Sequence, residues 1–240
     1  MAITFVGSAS ANVAGADVTV DLTAIAGLAE DDFVIFGYGI GSFSDETMSL
    51  VSATGWTSHS DLYYNDTRDS NLGVFSKVMG VTVDTSVTGA GASGSYGHAA
   101  IAMAFRGVDT TTPLDVAIVE ATGGNTYFPD PPQITFLDSG AAVVIFTASA
   151  HDQAADTTTW PTGYDNVDSL TETNNSGTDL HASMAYNLSP TSPENPGAIT
   201  YDGSDSGDFS WCAVTIALRP AASGSSFQAA WAIHANTIIG

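Results

Sequence analysis

Four short segments of this chain recur in the same order at nearly constant separation. Phe33-Val34-Ile35-Phe36 returns as Val143-Val144-Ile145-Phe146, and Thr54-Gly55-Trp56 returns as Thr162-Gly163-Tyr164. The stretch Gly73 to Lys77 returns as Ala182 to Tyr186, and Ala99 to Arg106 returns as Cys212 to Arg219. The separations are about 110, 108, 109 and 113 residues, so the chain reads as one unit written twice.

The repeated segments read as strands. Val18 to Val20 and Ile134 to Phe136 alternate polar and apolar, while Phe33–Phe36 and Val143–Phe146 are continuous apolar runs of the kind covered on both faces. In the third pair Leu72, Val74 and Ser76 share one face, with Phe75 and Lys77 opposite. In the fourth, Ile101, Met103 and Phe105 share a face opposite Ala100, Ala102 and Ala104; Val214, Ile216 and Leu218 do the same opposite Ala213, Thr215 and Ala217. A slip of one residue would turn every large side chain to the wrong face, so this agreement in register is informative. Arg106 and Arg219 end equivalent strands, where each is expected to make a salt bridge or hold a carbonyl. Leu22 to Leu28 fits a single helical turn, and no longer stretch keeps a helical period. The connector Gly107–Gln133 carries Leu114, Val116 and Ile118 in alternation and is expected to supply a strand of its own.

The expected fold is all-β: a two-sheet antiparallel β-sandwich, jelly-roll-like, built from similar halves at about 17–109 and 133–220 within a domain spanning 1–220. Two tandem domains are the alternative. Residues 221–226 read as a linker to an apolar tail, 221–240, in which Phe227, Trp231, Ile233, Ile238 and Ile239 need a surface to cover them. That surface belongs to the same molecule or to a neighbour in an assembly.

Composition narrows the partners. Only 12% of residues are charged, against the usual ~25%, so the surface is dressed with hydroxyls and amides. Acidic residues number 26 against four basic ones, giving a net charge of −22. Such a chain repels phosphate backbones and anionic membranes, which argues against nucleic acid and membrane as partners. The lone Cys212 permits no internal disulfide and sits in an alternating run as a core thiol. The start of the chain lacks the basic region of a secretory leader, so no secretory signal is expected, and a role outside the cell implies another route of release, such as lysis.

Catalytic signals are weak. No Gly-x-Ser-x-Gly elbow occurs, and His59, His181 and His234 show no metal-ligand spacing; His98 reads as a packing residue, and His151-Asp152 as a solvated loop just past a strand. Lys77, the only lysine, carries no catalytic mark, and Gly89 to Gly94 opens no helix of the kind that cradles phosphate. No cofactor is expected, with calcium the one ligand suggested by spacing: Asp202, Asp205 and Asp208 lie among Gly and Ser as in an oxygen-rich loop. Glu30-Asp31-Asp32 and Asp165 with Asp168 are further acidic clusters; Asp and Asn also favour turns for backbone reasons. Trp56 and Tyr164, repeat equivalents after a glycine, read as packing groups, which leaves Tyr63 and Tyr64 as the exposed aromatic pair for a ligand such as carbohydrate. A single lysine is also little protection for sheet edges, so the edges either close on themselves or are covered in an assembly.

Several packing motifs together carry a resemblance. They are Gly55-Trp56-Thr57, Phe105-Arg106-Gly107-Val108-Asp109, Pro113-Leu114-Asp115, Pro161-Thr162-Gly163-Tyr164 and the closing run from Trp211 to Arg219-Pro220. Over about residues 30–220 the chain resembles β-sandwich proteins encoded among tailed-phage and prophage structural genes. The resemblance implies a non-enzymatic virion component: a capsid decoration (cement) protein, or alternatively a tail-associated receptor- or carbohydrate-binding module. It implies a homo-oligomeric or assembly-bound state among other virion proteins, major capsid or tail proteins, and it supplies no catalytic residue. The tail after Ala221 departs from this framework.

Overall fold

A computed structural model describes residues 1–91, 96–124, 128–151, 157–172, 178–201 and 209–222. The strands, in chain order, are β1 (Thr4–Ala14), β2 (Val18–Asp21), β3 (Phe33–Ser42), β4 (Thr57–Tyr64), β5 (Asp69–Val78), β6 (Ser86–Gly89) and β7 (Gly97–Arg106) in the first half. The second half holds β8 (Val119–Gly124), β9 (Ala142–His151), β10 (Thr157–Thr159), β11 (Asp165–Glu172), β12 (Asp179–Asn187), β13 (Thr200–Tyr201) and β14 (Ser210–Leu218). The only helical element among the described residues is a 3-10 turn at Leu22–Ala24, capped by Asp21, within the stretch expected to form one turn.

Each half makes one complete five-stranded antiparallel sheet. The orders are β1-β7-β3-β5-β4 and β8-β14-β9-β12-β11, the same arrangement strand for strand. Hydrogen-bond register fixes which residues correspond. Phe33 pairs with Phe105 while Ala142 pairs with Leu218, so Phe33 corresponds to Ala142 once Phe105 is matched to Leu218. The same logic matches Lys77 to Asn187. Edge strands β4 and β11 even carry the same irregularity, between Ser58 and Ser60 and between Asn166 and Asp168.

The expected all-β sandwich is the observed architecture, and several details differ from expectation. The first and third repeated strings are each one residue out of structural register. Val143, matched by string to Phe33, faces the opposite side of its sheet; in a run that is apolar on both faces, string similarity is blind to parity. Strand β1, made mainly of Ser, Ala, Gly and Asn, had no strand signal, and β1 and β8 extend the matching units beyond 17 and 133. Leu114 forms only an isolated bridge to Leu218, and the strand follows at β8. Ile134 likewise forms only a bridge, to Glu194.

The two sheets pack face to face with reciprocal contacts. β3 crosses β9 at the centre; β7 lies over β12 as β14 lies over β5, and β1 over β11 as β8 over β4. This is the geometry of an isologous two-fold interface, here formed inside one chain. Between the sheets lie Phe33, Ile35, Leu72, Val74, Ile101, Met103 and Phe105 from one half, and Val144, Phe146, Leu180, Met184, Val214, Ile216 and Leu218 from the other. Each such side chain contributes about 1.5–3 kcal/mol by leaving water.

The outer faces are covered too, which explains the continuous apolar runs. Over the first sheet, the β2-β6 ribbon lays Val18, Val20 and Val87 on Val34, Phe36 and Tyr38. The chain thus steps from sheet to ribbon and back on both sides of the half, the wrapping of a jelly roll, and this wrapping occurs within a half. Over the second sheet, Ile134, Phe136, Ile199 and Tyr201 pack on Val143 and Ile145, and β13 pairs with β10.

Candidate functional site

Of the residues singled out by sequence, Asp202, Asp205 and Asp208 lie outside the described residues, as do Phe227, Trp231, Ile233, Ile238 and Ile239. Among the described residues no three His, Cys, Asp or Glu side chains converge as a metal site requires. In the Glu30-Asp31-Asp32 cluster, the buried Asp32 carboxylate receives Arg106 Nε and Nη2, each at 2.8 Å, and Arg106 also donates to the carbonyl of Gly27 at 2.9 Å. Arg219 acts the same way at the equivalent strand end, on Asp115 at 3.3 Å and Asp138 at 3.0 Å. Both arginines are scaffold.

Tyr63 and Tyr64 are not the exposed pair expected. Successive residues on β4 point to opposite faces, and both rings are half-buried. Tyr64 packs against the central core, and the Tyr63 hydroxyl donates to Asp69 at 2.9 Å while accepting from Asn65 at 2.8 Å.

The described histidines are built into the sandwich; His151, expected in a solvated loop, is instead the buried last residue of β9, and His234 lies outside the described residues. His98 Nδ1 is bonded to the carbonyl of Ala16, His59 Nε2 to the Ser76 hydroxyl at 2.6 Å, and the His151 ring stacks on Phe209 at 5.1 Å. Burial, with His181 nearby, lowers His151 to about 3. His181 Nε2 lies 3.0 Å from the Ser183 hydroxyl, and Tyr201 covers both, its hydroxyl 3.4 Å from Ser183 and 2.9 Å from Thr147. A Ser–His contact thus exists, with both side chains fully buried and the Tyr201 ring 4.4 Å from that of His181.

A different constellation occurs twice and is open once. In the first half, Gly55 turns the chain with a φ of 76°, and Gly163 repeats the turn at 85°. These turns deliver Trp56 and Tyr164 to the start of β4 and β11. Lys77 near the end of β5 corresponds to Asn187 at the end of β12, and the loops that follow bring up Asp84 and Glu194. Asp84 accepts Trp56 Nε1 at 3.1 Å and Lys77 Nζ at 2.7 and 2.8 Å, and Lys77 also donates to the Thr54 carbonyl at 3.1 Å. In the second half Asn187 Nδ2 donates to Glu194 at 3.4 Å, and burial followed by the Glu194 charge pushes the Tyr164 phenol well above its ordinary value. The set is therefore an aromatic ring, a carboxylate and a nitrogen donor, in both halves.

The surroundings differ. Ile134 and Glu194 exchange backbone hydrogen bonds at 2.9 Å, and Tyr164 is buried, with Asn187 and Glu194 half-buried beside it. In the first half the strand-like segment at Ser49 to Val51 leaves β6 after the Val51 amide bonds the Thr88 carbonyl at 3.0 Å. Beyond that point lies a groove of about 500 Å³ lined by Trp56, Lys77, Asp84, Val51 and the residues from Thr85 to Thr88. Trp56 is half-buried there and makes a T-shaped contact with Phe36, ring centroids 6.3 Å apart. Sequence reasoning assigned Trp56 to packing and left Lys77 unmarked. The signal available was that Asp84 and Glu194 stand at the same separation as Lys77 and Asn187.

No family model matches this chain, no curated protein matches it, and no solved structure matches it.

Proposed function

We propose that this chain is a non-enzymatic structural component of a phage virion, foremost a capsid decoration protein that attaches through an exposed sheet edge. The observation that carries this reading is β1. It ends its sheet, runs for 11 residues, is half-exposed along its length, and contains no charged residue and no proline. The other edge strands differ: β4 carries Asp61, β8 carries Glu120, and β11 carries Asp165, Asp168 and Glu172. Free-standing sheet proteins blunt edges with charge, proline or coverage, and a long uncharged edge is a template for pairing with another chain. The hydroxyl-rich, acidic composition agrees with such a role, as does the resemblance of the packing motifs to those of tailed-phage structural proteins.

The test is made on particles. Mass spectrometry of purified virions from a lysate should find the chain at a fixed copy number per particle. The double variant Ser8→Lys/Ser10→Lys should fold normally yet be lost from the particles. Absence of the wild-type chain from virions, or equal retention of the variant, would overturn the reading.

A further inference from the structure

We propose that the groove over Trp56 is a binding site for a neutral saccharide unit, with Trp56 as the apolar wall and the Asp84–Lys77 pair as the polar one. A sugar ring presents C–H groups on its faces and hydroxyls around its rim. It is matched by an aromatic side chain beside fixed donors and acceptors, and by a volume within the usual ligand range of about 300–1,000 Å³. The groove has these parts. Its volume is about 500 Å³, and Trp56 shares it with the hydroxyl-bearing Thr85, Ser86 and Thr88. The indole is held by Asp84 on Nε1 and by a T-shaped contact with the Phe36 ring. An ionised carboxylate has about four acceptor positions. Asp84 uses three, for Trp56 and twice for Lys77, which leaves one on Oδ1 for a sugar hydroxyl.

Charge selects against acidic sugars. Lys77 and Asp84 cancel each other locally, and the chain as a whole carries −22, so a carboxylated or sulfated glycan meets net repulsion. The second half supplies an internal comparison. Its matching aromatic, Tyr164, is buried in the cluster that holds Ile134, while its carboxylate and amide are half-buried like Asp84 and Lys77, so the scaffold does not require the exposure that the aromatic has in the first half. This site stands apart from the assembly reading, and failure of either leaves the other intact.

The full-length ¹⁵N-labelled chain is titrated with glucose, galactose, N-acetylglucosamine and sialic acid at millimolar concentrations. The Trp56 indole N–H signal is identified as the one missing from Trp56→Phe, and affinities are taken by calorimetry. The expected result is a saturable shift of that signal with at least one neutral sugar, the other indole signals staying fixed. Affinity should fall at least about tenfold in Trp56→Phe. It should fall likewise in Val51→Arg, a change at the groove rim where the side chain is 59% exposed and the fold is not at risk. No shift with any neutral sugar, binding undiminished in both variants, or tighter binding of sialic acid than of every neutral sugar overturns the proposal.

Discussion

Gly37 and Phe146 occupy corresponding positions in the two halves and touch each other across the pseudo-two-fold axis: a Cβ built on Gly37 would lie 2.7 Å from the Phe146 ring. A symmetric pair of identical chains would place the same residue against itself here. Duplication within one chain has let one copy become minimal and the other large. Gly37→Ala should therefore destabilise by about 1–3 kcal/mol through overpacking, and Phe146→Ala by about 3–5 kcal/mol through the cavity it leaves. Combined in one chain, the two changes should cost less than their sum, because they share a contact. Chemical denaturation of the three variants checks this; strict additivity would mean that the sheets do not meet at this point.

The Cys212 thiol is buried, donates to the Ser70 carbonyl at 3.3 Å, and is pushed up to about 12, chiefly by burial. Thiolate is the reactive form. The native protein should be inert to an aromatic disulfide reagent at neutral pH and should release one equivalent when unfolded in denaturant. Rapid modification of the native state would contradict the central core.

Stability should fall on acidification in two windows. His59, His98 and His151 are all held below the ordinary imidazole value of 6.5, in each case chiefly by burial. The unfolded chain therefore binds protons that the native state refuses, and stability present above 6.5 is lost as pH drops from there, for His151 down to about 3. Asp115 adds a second loss at lower pH. Burial raises its carboxyl, but the Leu137 amide, the Asp138 carboxyl and amide and the Arg219 guanidinium outweigh that and hold it below its ordinary 3.8. Its contribution is complete above that value and disappears as pH falls through the depressed one. Melting temperatures measured from pH 7 down to pH 3 should decline throughout, and His151→Gln should flatten the upper part of the curve.

Arg219 spans Asp115 and Asp138, and Asp115 is fully buried at its side chain. Arg219→Met removes the cation and leaves the carboxylate behind. A broken buried pair of this kind costs about 3–5 kcal/mol, moderated here by the two amides that still reach Asp115. The double variant Arg219→Met/Asp115→Asn should recover part of the loss in a thermal melt.

Much of the fold was legible because large side chains alternate with small ones on β7 and β14, which fixes both parity and facing. On β3 and β9 both faces are apolar, so the sequence could show that the strands match but not which way each residue points. Strand β1 was silent because an edge strand, half-exposed and filled with small residues, needs no apolar alternation. The groove escaped for another reason. Its residues are scaffold in one copy and lining in the other, and only the path of the Ser49 to Val51 segment tells the two apart.

Because each large sheet is complete within its own half, the inner face of residues 1–106 is finished before the strands that cover it have been synthesised. What then joins a first half to its own second half is the short connector between β7 and β8, which acts by raising local concentration and not by any contact unique to that chain. A nascent first half surrounded by many copies of itself meets the same complementary face on its neighbours. Crowded expression should therefore yield domain-swapped dimers, separable by gel filtration and increasing with protein concentration during refolding, in which every contact described above is kept and only the ownership of the halves has changed.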